Sequence, residues 1–310
     1  MSDFVHALSI DVEDWFQVLN LKDHVDRAEW EGFELRCGDS TRRFLDLCEK
    51  HDARATFFFL GWIAERLPDL VREVAAAGHE IASHGYDHRV LGELGEDGFR
   101  ADLERTERIL EDLTGQRPRA FRACTWSITR GTEWAPRVLR ERGYELDSSI
   151  QPVVHPDYGI PGAPTRPYRI ATPAGELVEF PPLTWQVAGR RIPVGGGGYL
   201  RLFPVWMFRR ALRQAEREGW PGCLYLHPWE LDPGQPRYPV KGLRGFRHYV
   251  NLRRTGEKLG RLMGEFRFRG LSEALAGHVP TLAPELGACF RELGPDGTAQ
   301  RHTRPTRRHQ

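Results

Sequence analysis

Residues 80–88 read EIASHGYDH, a short apolar run followed by a loop that carries two histidines, His84 and His88. The run is typical of the end of a buried strand. Neutral imidazole is the commonest protein ligand for a metal ion, and two imidazoles four residues apart can converge on one ion. With 12 histidines in 310 residues, chance alone would place roughly 0.5 pairs at this spacing, so the motif needs support from the rest of the chain.

Segments with strand and helix patterns alternate on both sides of this loop. Residues 54–60 predict a strand, Pro68 and Gly78 bracket a helix, and residues 98–113 predict an amphipathic helix with one apolar stripe. Repeated alternation of this kind indicates a parallel sheet, either a barrel or a doubly wound arrangement. Further short strands are predicted at 5–10, 120–123, 144–146 and 223–226.

A segment rich in Pro and Gly, residues 151–198, interrupts this alternation. It predicts an elaborated loop with a β-hairpin that covers one face of the core. Within it, Gly195–Gly198 is interpreted as a flexible connector or one with positive φ, because no Lys-Ser/Thr follows that would make it a phosphate cradle. No GxGxxG or P-loop pattern follows a predicted strand, so the sequence gives nucleotide binding no support.

Composition and charge narrow the class of protein. The chain is 40% hydrophobic and 28% charged with a net charge of +1, so bulk electrostatics give no argument for binding nucleic acid. No apolar run approaches the ~20 residues that span a bilayer. Five cysteines without a CxxC pattern argue against a disulfide framework. The first twenty residues contain no Lys or Arg, unlike a secretory signal, and we therefore expect a cytoplasmic protein.

One domain over residues 1–275 accounts for the whole pattern. Residues 276–310 are expected to be an extension, and residues 301–310 carry four Arg and no acid. Such a tail is more typical of a solvated, disordered end than of a binding arm.

Several predicted strands end in side chains that can do chemistry. Asp11, Glu13 and Asp14 follow the first strand, and side-chain alternation places Asp11 and Glu13 on one side. Further polar residues lie at later strand ends, namely Arg122, Asp147 and His227. Because the carboxyl ends of parallel strands share one face, these groups are expected to build one site. One carboxylate and two histidines can hold a zinc-type ion, while a second carboxylate and a separate histidine can serve as base and acid.

The order of these motifs resembles the polysaccharide deacetylases of carbohydrate esterase family 4, the NodB-homology domain. Five motifs of that family are matched in order by Ser9–Asp14, His84–His88, Phe121–Trp126, Asp147–Ser149 and Leu226–His227. More narrowly, the strings DVEDWF, HEIASHG, HPWE and FRHYVN resemble the exosortase-associated subgroup, which is linked to exopolysaccharide gene clusters. The likeness covers about residues 5–275.

The resemblance implies a fold and a set of roles. The fold is a distorted (β/α) barrel with a β-rich loop insertion and a C-terminal helical extension. Glu13, His84 and His88 would hold a divalent ion, with Zn²⁺ expected, and Asp11 would be the base. His227 would be the acid that protonates the departing amine.

Other residues would support these groups and bind the substrate, an N-acetylated oligo- or polysaccharide. Arg122 would pair with Asp11, and Asp147 would hold the imidazole of His227 in orientation. A backbone N–H near Thr125 would help to stabilise the oxyanion. The expected substrate-binding residues are Thr125, Trp126, Leu226 and Trp229.

Some alternatives stay open at this point. The metal carboxylate is Glu13 or Asp14, with Glu13 favoured by alternation. Cys124 stands where the family usually has Pro, which would loosen the oxyanion loop. Besides N-deacetylation of a glycan, the chain could hydrolyse a small cyclic amide or imide without a metal, as relatives in the superfamily do, or bind glycans without catalysis. The sugar, the linkage and the oligomeric state do not follow from the sequence.

Overall fold

Parallel strand pairs run through the centre of the protein, which this computed structural model describes over residues 4–155, 158–240 and 242–278. The strands are β1 (Val5–Val12), β2 (Thr56–Phe59), β3 (Glu80–Ser83), β4 (Ala120–Phe121), β5 (Leu146–Asp147), β6 (Tyr168–Thr172), β7 (Gly175–Glu179), β8 (Thr184–Val187), β9 (Arg190–Pro193), β10 (Cys223–Leu226) and β11 (Arg267–Arg269). They pair in the order β10-β1-β2-β3-β4-β5-β7-β6, and β11 pairs with the start of β1. All of these pairs are parallel except β6 with β7.

Helices connect and cover these strands. They are α1 (Cys37–Lys50), α2 (Gly61–Arg66), α3 (Pro68–Ala76), α4 (Leu91–Thr114), α5 (Ala135–Glu141), α6 (Gly197–Leu202), α7 (Val205–Glu218), α8 (Gly242–Tyr249), α9 (Thr255–Met263) and α10 (Leu271–Leu275). The amphipathic α7 shows how they pack: it buries Phe208 and Leu212 against the core and ends at Gly219, whose φ is 76°. Each such buried side chain stabilises the fold by roughly 2 kcal/mol.

The chain that follows β7 closes the strand order into a ring. The chain that leaves β7 reaches β10, where the backbone N–H of Leu183 donates to the carbonyl of Cys223 at 2.8 Å. Inward-facing apolar side chains from successive strands fill the centre of this ring, among them Ala7, Phe58, Ala82, Leu146 and Phe180. The predicted distorted (β/α) barrel is confirmed.

The β-rich segment differs in part from the prediction. Instead of lying over the core, the β6–β7 hairpin joins the main sheet, because β7 pairs in parallel with β5. Only β8 and β9 form a separate two-stranded sheet. The interpretation of Gly195–Gly198 as a positive-φ connector is wrong, since none of the four has positive φ, and Gly197 and Gly198 begin α6. They are small because the chain packs tightly there: a Cβ on Gly197 would lie 2.0 Å from a carboxylate oxygen of Glu230.

Smaller differences concern the ends of elements. Strand β1 continues to Val12, so Asp11 lies inside it, and α4 begins at Leu91 with a break at Gly95, where φ is 65°. The described cysteines, residues 37, 48, 124 and 223, are free thiols. None of the helices over the described ranges is both long and apolar enough to cross a membrane. Of the predicted C-terminal extension, residues 279–310 lie outside the described residues.

Candidate active site

The three carboxylates at the end of β1 point in two different directions. Asp11 and Glu13 are buried and line the same cavity. Asp14 points elsewhere: its carboxylate accepts the backbone N–H groups of Trp15, Arg36 and Cys37 at 2.7–2.9 Å. These bonds secure the start of α1. Of the two acids considered as a metal ligand, the structure brings Glu13 and not Asp14 to the histidine pair.

The histidine pair lies on the loop that follows β3. The Nε2 atoms of His84 and His88 are each 3.0 Å from Oε1 of Glu13. The loop needs two left-handed residues to achieve this, Gly85 with φ 74° and His88 with φ 58°. Asp102 on α4 fixes the loop by accepting the backbone N–H of Tyr86 at 3.0 Å.

The donor atoms of this cluster suit a divalent metal ion. The carbonyl of Arg122 can only accept a hydrogen bond, so Nδ1 of His84 donates to it, at 2.7 Å. In a neutral imidazole, Nε2 is then a bare acceptor that faces the carboxylate of Glu13. Two acceptors at 3.0 Å require a proton or a cation between them. Two imidazole nitrogens and one carboxylate oxygen are the protein ligands of open catalytic zinc sites.

Electrostatics agree with a cation at this position. Burial acts to raise the pKa of Glu13, but the imidazoles of His88 and His84 outweigh it and hold that pKa well below its usual range. Burial lowers the pKa of His84, yet its hydrogen bond to Glu13 and the neighbouring charges raise it overall. Both shifts favour positive charge between the imidazoles and the carboxylate, which is the place that a metal would take.

Arg122 holds the proposed base in place. It is fully buried, and its Nη1 atom donates to Oδ1 of Asp11 at 2.6 Å and to the hydroxyl of Ser9 at 2.8 Å. The rest of the guanidinium donates to the carbonyl and the hydroxyl of Ser148. A buried charge with all of these partners is a rigid support, because any displacement would leave donors unpaired in the core.

His227 lies on the same cavity, directly after β10. Its Nε2 atom is 3.8 Å from Oδ2 of Asp11, and its Nδ1 atom is 3.2 Å from Oε2 of Glu230. Glu230 in turn accepts from Nε of the buried Arg201 at 3.0 Å. Burial acts to lower the pKa of His227, but the hydrogen bond to Glu230 and the surrounding carboxylates raise it above its usual value.

The prediction that Asp147 orients His227 is wrong. Glu230 occupies the Nδ1 side of the imidazole, three residues along the chain from it. Asp147 instead accepts from the hydroxyl of Ser149 and shares a hydrogen bond with Glu179. Ser149 then accepts the backbone N–H of Ala123 at 2.8 Å, next to Arg122. The motif at Asp147–Ser149 therefore supports the arginine side of the site.

Asp147 and Glu179 form a buried acid pair, and we expect stability to depend on their shared proton. Burial raises the pKa of Asp147 to about 6 and that of Glu179 well above its usual value. Because these folded-state pKa values are raised, the unfolded chain loses its protons first, and stability falls as pH rises from about 4 through 6 and beyond.

Replacing Glu179 by Gln removes the need for this proton, since an amide donates to Asp147 without one. Between pH 5 and 8, the unfolding free energy of the Glu179→Gln variant is expected to fall less than that of the wild type, by on the order of 1 kcal/mol. Denaturant unfolding at a series of pH values measures this. Glu176→Gln, an exposed acid on the same strand, is the matched control, and equal pH slopes in both variants would contradict the shared proton.

The residues expected to bind substrate surround a cavity of about 230 Å³, with one exception. Thr125, Trp126 and Trp229 line it, together with Tyr199 and Tyr225. Leu226 does not, and its assignment is wrong: it packs in the main hydrophobic core. Side chains alternate along β10, so Tyr225 and His227 face the cavity and the residue between them faces away.

The turn after β4 is strained where it meets the cavity. Thr125 and Trp126 have φ angles of 56° and 55°, although β-branched and aromatic residues rarely adopt them. Cys124 precedes them, and its thiol donates to the carbonyl of His84 at 2.9 Å. Burial raises the pKa of this thiol well above its usual value, so it stays protonated. Cys124 thus fixes the turn to the loop that carries His84 and His88, where the sequence had suggested a loosened loop.

A second cleft adjoins the cavity on the side of His88. Its volume is about 1150 Å³, and the two spaces share Val18, Leu19, Lys22, His88 and Thr125 as lining residues. The site therefore opens into a space much larger than a single small molecule needs.

Comparison with protein families identifies the central part of the chain. Residues 31–145 match the family model of polysaccharide deacetylases, and residues 148–276 match a model described as a domain of unknown function, DUF3473. Over residues 31–145, this chain is thus similar to the polysaccharide deacetylase family. The site crosses both matches, because His84, His88 and Arg122 lie in the first and His227 in the second.

Two curated relatives share short regions with this chain. A peptidoglycan-N-acetylglucosamine deacetylase of Bacillus cereus is 40% identical over 82 residues, which are 26% of this chain and 30% of the relative. A peptidoglycan deacetylase of Helicobacter pylori is 28% identical over 120 residues, 37% of this chain and 38% of the relative. The chain thus spans less than two-fifths of the length of either protein.

Solved structures support the fold over nearly the whole chain. A Mycobacterium smegmatis protein assigned to the polysaccharide deacetylases superposes with a TM-score of 0.59 at 21% identity, covering 92% of this chain and 95% of that one. PuuE allantoinase superposes with a TM-score of 0.56 at 19% identity, covering 91% and 92%. At these identities, the likeness concerns the barrel and not the reaction.

Proposed function

We propose that this protein hydrolyses N-acetyl groups from amino sugars of a glycan and that it acts in exopolysaccharide biosynthesis. The observation that carries the activity is the convergence of Glu13, His84 and His88 beside Asp11 and His227 in one cavity. The motifs shared with the exosortase-associated subgroup support the biosynthetic role. A cytoplasmic location stays a prediction from the sequence.

The chemistry divides among the residues as follows. Glu13, His84 and His88 would hold a divalent ion, which we infer to be Zn²⁺, and when bound it would supply Lewis acidity and lower the pKa of a water toward ~7. Asp11 takes the proton of the attacking water, and Arg122 keeps its carboxylate in position. His227, oriented through Nδ1 by Glu230, gives a proton to the leaving amine.

The turn at Thr125 completes the site in this proposal. Its backbone is held in a left-handed conformation at the edge of the cavity, and we assign its N–H to the oxyanion that develops on the acetamide. Trp126 and Trp229 offer aromatic faces on the same cavity for the C–H surface of a sugar. The adjoining cleft favours a glycan over a small cyclic amide because it provides room for neighbouring sugar units.

Metal content and acetate release test the proposal together. We expect the purified protein to hold about one divalent ion per chain and to release acetate from N-acetylglucosamine oligomers or peptidoglycan fragments. Removal of the ion by a chelator should abolish release, and Zn²⁺ should restore it. Hydrolysis of a hydantoin-type cyclic amide by metal-free protein, with no acetate release from any glycan, would instead establish a metal-independent amide hydrolase.

A further inference from the structure

Three cationic side chains surround the mouth of the active-site cavity. Lys22 follows the helical turn at Leu19–Leu21, and Arg244 and Arg247 lie on α8. All three are exposed, and all three line the cavity. Since the whole chain has a net charge of only +1, this concentration of positive charge is local.

The acids of the cavity do not neutralise these cations, because each acid already has a partner. Asp11 pairs with Arg122 at 2.6 Å, and Glu230 pairs with Arg201 at 3.0 Å. Glu13 faces the histidine pair.

The mouth itself contains little compensating charge. Arg244 pairs with Asp23 at 3.2 Å, and both side chains are more than half exposed, so the pair is weak. Lys22 and Arg247 have no carboxylate partner among the described residues. Arg247 instead interacts with the phenol of Tyr199, another cavity residue. Two positive groups are thus available to a ligand.

The adjoining cleft does not share this excess of positive charge. Its charged lining residues are four acids (Asp23, Asp26, Glu29, Glu93) and three bases (Lys22, Arg27, Arg130). A negative ligand group would therefore be attracted to the α8 side of the cavity mouth, and neutral sugar units suit the cleft.

We propose that the substrate is an anionic glycan. Close to its acetylated sugar it carries a negatively charged carboxylate or phosphate group, and this group binds Lys22 and Arg247. This inference rests on the proposed deacetylation. The shared chemistry is that of a carboxylate or a phosphate, either of which matches the guanidinium fork. The two sources are a uronic acid next to the N-acetylated sugar and a diphosphate on its anomeric position.

Three probes with the zinc-loaded protein distinguish these sources. They are a neutral N-acetylglucosamine tetramer, a tetrasaccharide of alternating N-acetylglucosamine and glucuronic acid, and UDP-N-acetylglucosamine. We expect kcat/KM for acetate release to be at least about 10-fold higher for one anionic probe than for the neutral tetramer, and this preference to shrink as salt screens the charges. The preferred probe identifies a carboxylate or a phosphate as the group recognised.

The Lys22→Gln/Arg247→Gln double variant tests the residues. Two exposed charge contacts correspond to a loss of roughly 2- to 30-fold in the ratio of anionic to neutral kcat/KM. The matched control, Lys50→Gln/Arg217→Gln, removes two exposed cations on other faces and should leave that ratio unchanged. A neutral tetramer processed as well as both anionic probes, or an unchanged ratio in the double variant, would overturn the inference.

Binding measured by tryptophan fluorescence separates this inference from the proposed function, because Trp126 and Trp229 line the cavity. If no probe releases acetate, the proposed function fails, and the affinities of the anionic and neutral probes still decide the charge preference. If acetate is released without any preference in rate or affinity, the deacetylase stands and the anionic substrate is refuted.

Discussion

Asp11→Asn is expected to reduce acetate release by about 10²- to 10⁴-fold while leaving the bound metal in place. The amide has nearly the shape of the carboxylate, and its oxygen can still accept from Arg122. It cannot, however, take a proton from water. Steady-state kinetics and metal content measured on the same preparation check this result.

Glu13→Gln provides the contrast that separates the two acids. Glu13 is the acid in contact with both imidazoles, so its replacement should lower metal content as well as activity, whereas Asp11→Asn lowers activity alone. His84→Ala should resemble Glu13→Gln. Metal loss in the Asp11 variant with retention in the Glu13 variant would reverse the assigned roles, and unchanged acetate release in either the Asp11 or the His84 variant would refute the site.

Glu230→Gln is expected to lower kcat by about 10- to 100-fold, because the partner of a functional imidazole fixes its orientation. The pH profile should also change. Glu230 raises the pKa of His227, and a general acid works only while it is protonated. Removing the negative charge lowers that pKa, so activity should be lost at a lower pH than in the wild type as pH rises. The pH dependence of kcat/KM measures the shift.

The Asp147→Asn variant is the control that distinguishes the orienting role of Glu230 from a purely structural role. Asp147 has no contact with His227 among the described residues and belongs to the pair with Glu179. Its replacement should alter stability without moving the alkaline limb of the pH profile. If the alkaline limb of the pH profile moved in the Asp147 variant and stayed in place in the Glu230 variant, the sequence-based prediction that Asp147 orients His227 would be right.

Sequence patterns that act over a few residues predicted much of the candidate site. Alternation after a buried strand placed Asp11 and Glu13 on one side, where the structure has them. The same rule, applied along β10, would have excluded Leu226 and selected Tyr225 beside His227. Glu230 also carries a local signal, three residues after His227, although the family resemblance points to a more distant acid, Asp147.

Other features could not be predicted from short stretches of sequence, because they depend on contacts between segments that are far apart in the chain. The left-handed φ angles of Thr125 and Trp126 oppose the preferences of those residue types. Contacts such as the hydrogen bond from the thiol of Cys124 to the carbonyl of His84 hold the turn in place. These two residues are 40 positions apart in the chain. Likewise, Gly197 is small because Glu230 packs against it, and its own sequence context only suggested flexibility.

The amino-acid sequence alone determined the parallel α/β arrangement, the histidine loop and the polar strand ends, because periodicity and alternation act over a few residues. The barrel was expected from the family resemblance. Tertiary structure decided which acid orients His227, which acid meets the histidine pair, and where the positive charge of α8 lies. Those choices depend on distances between segments up to about 200 residues apart, which the closure of the barrel sets.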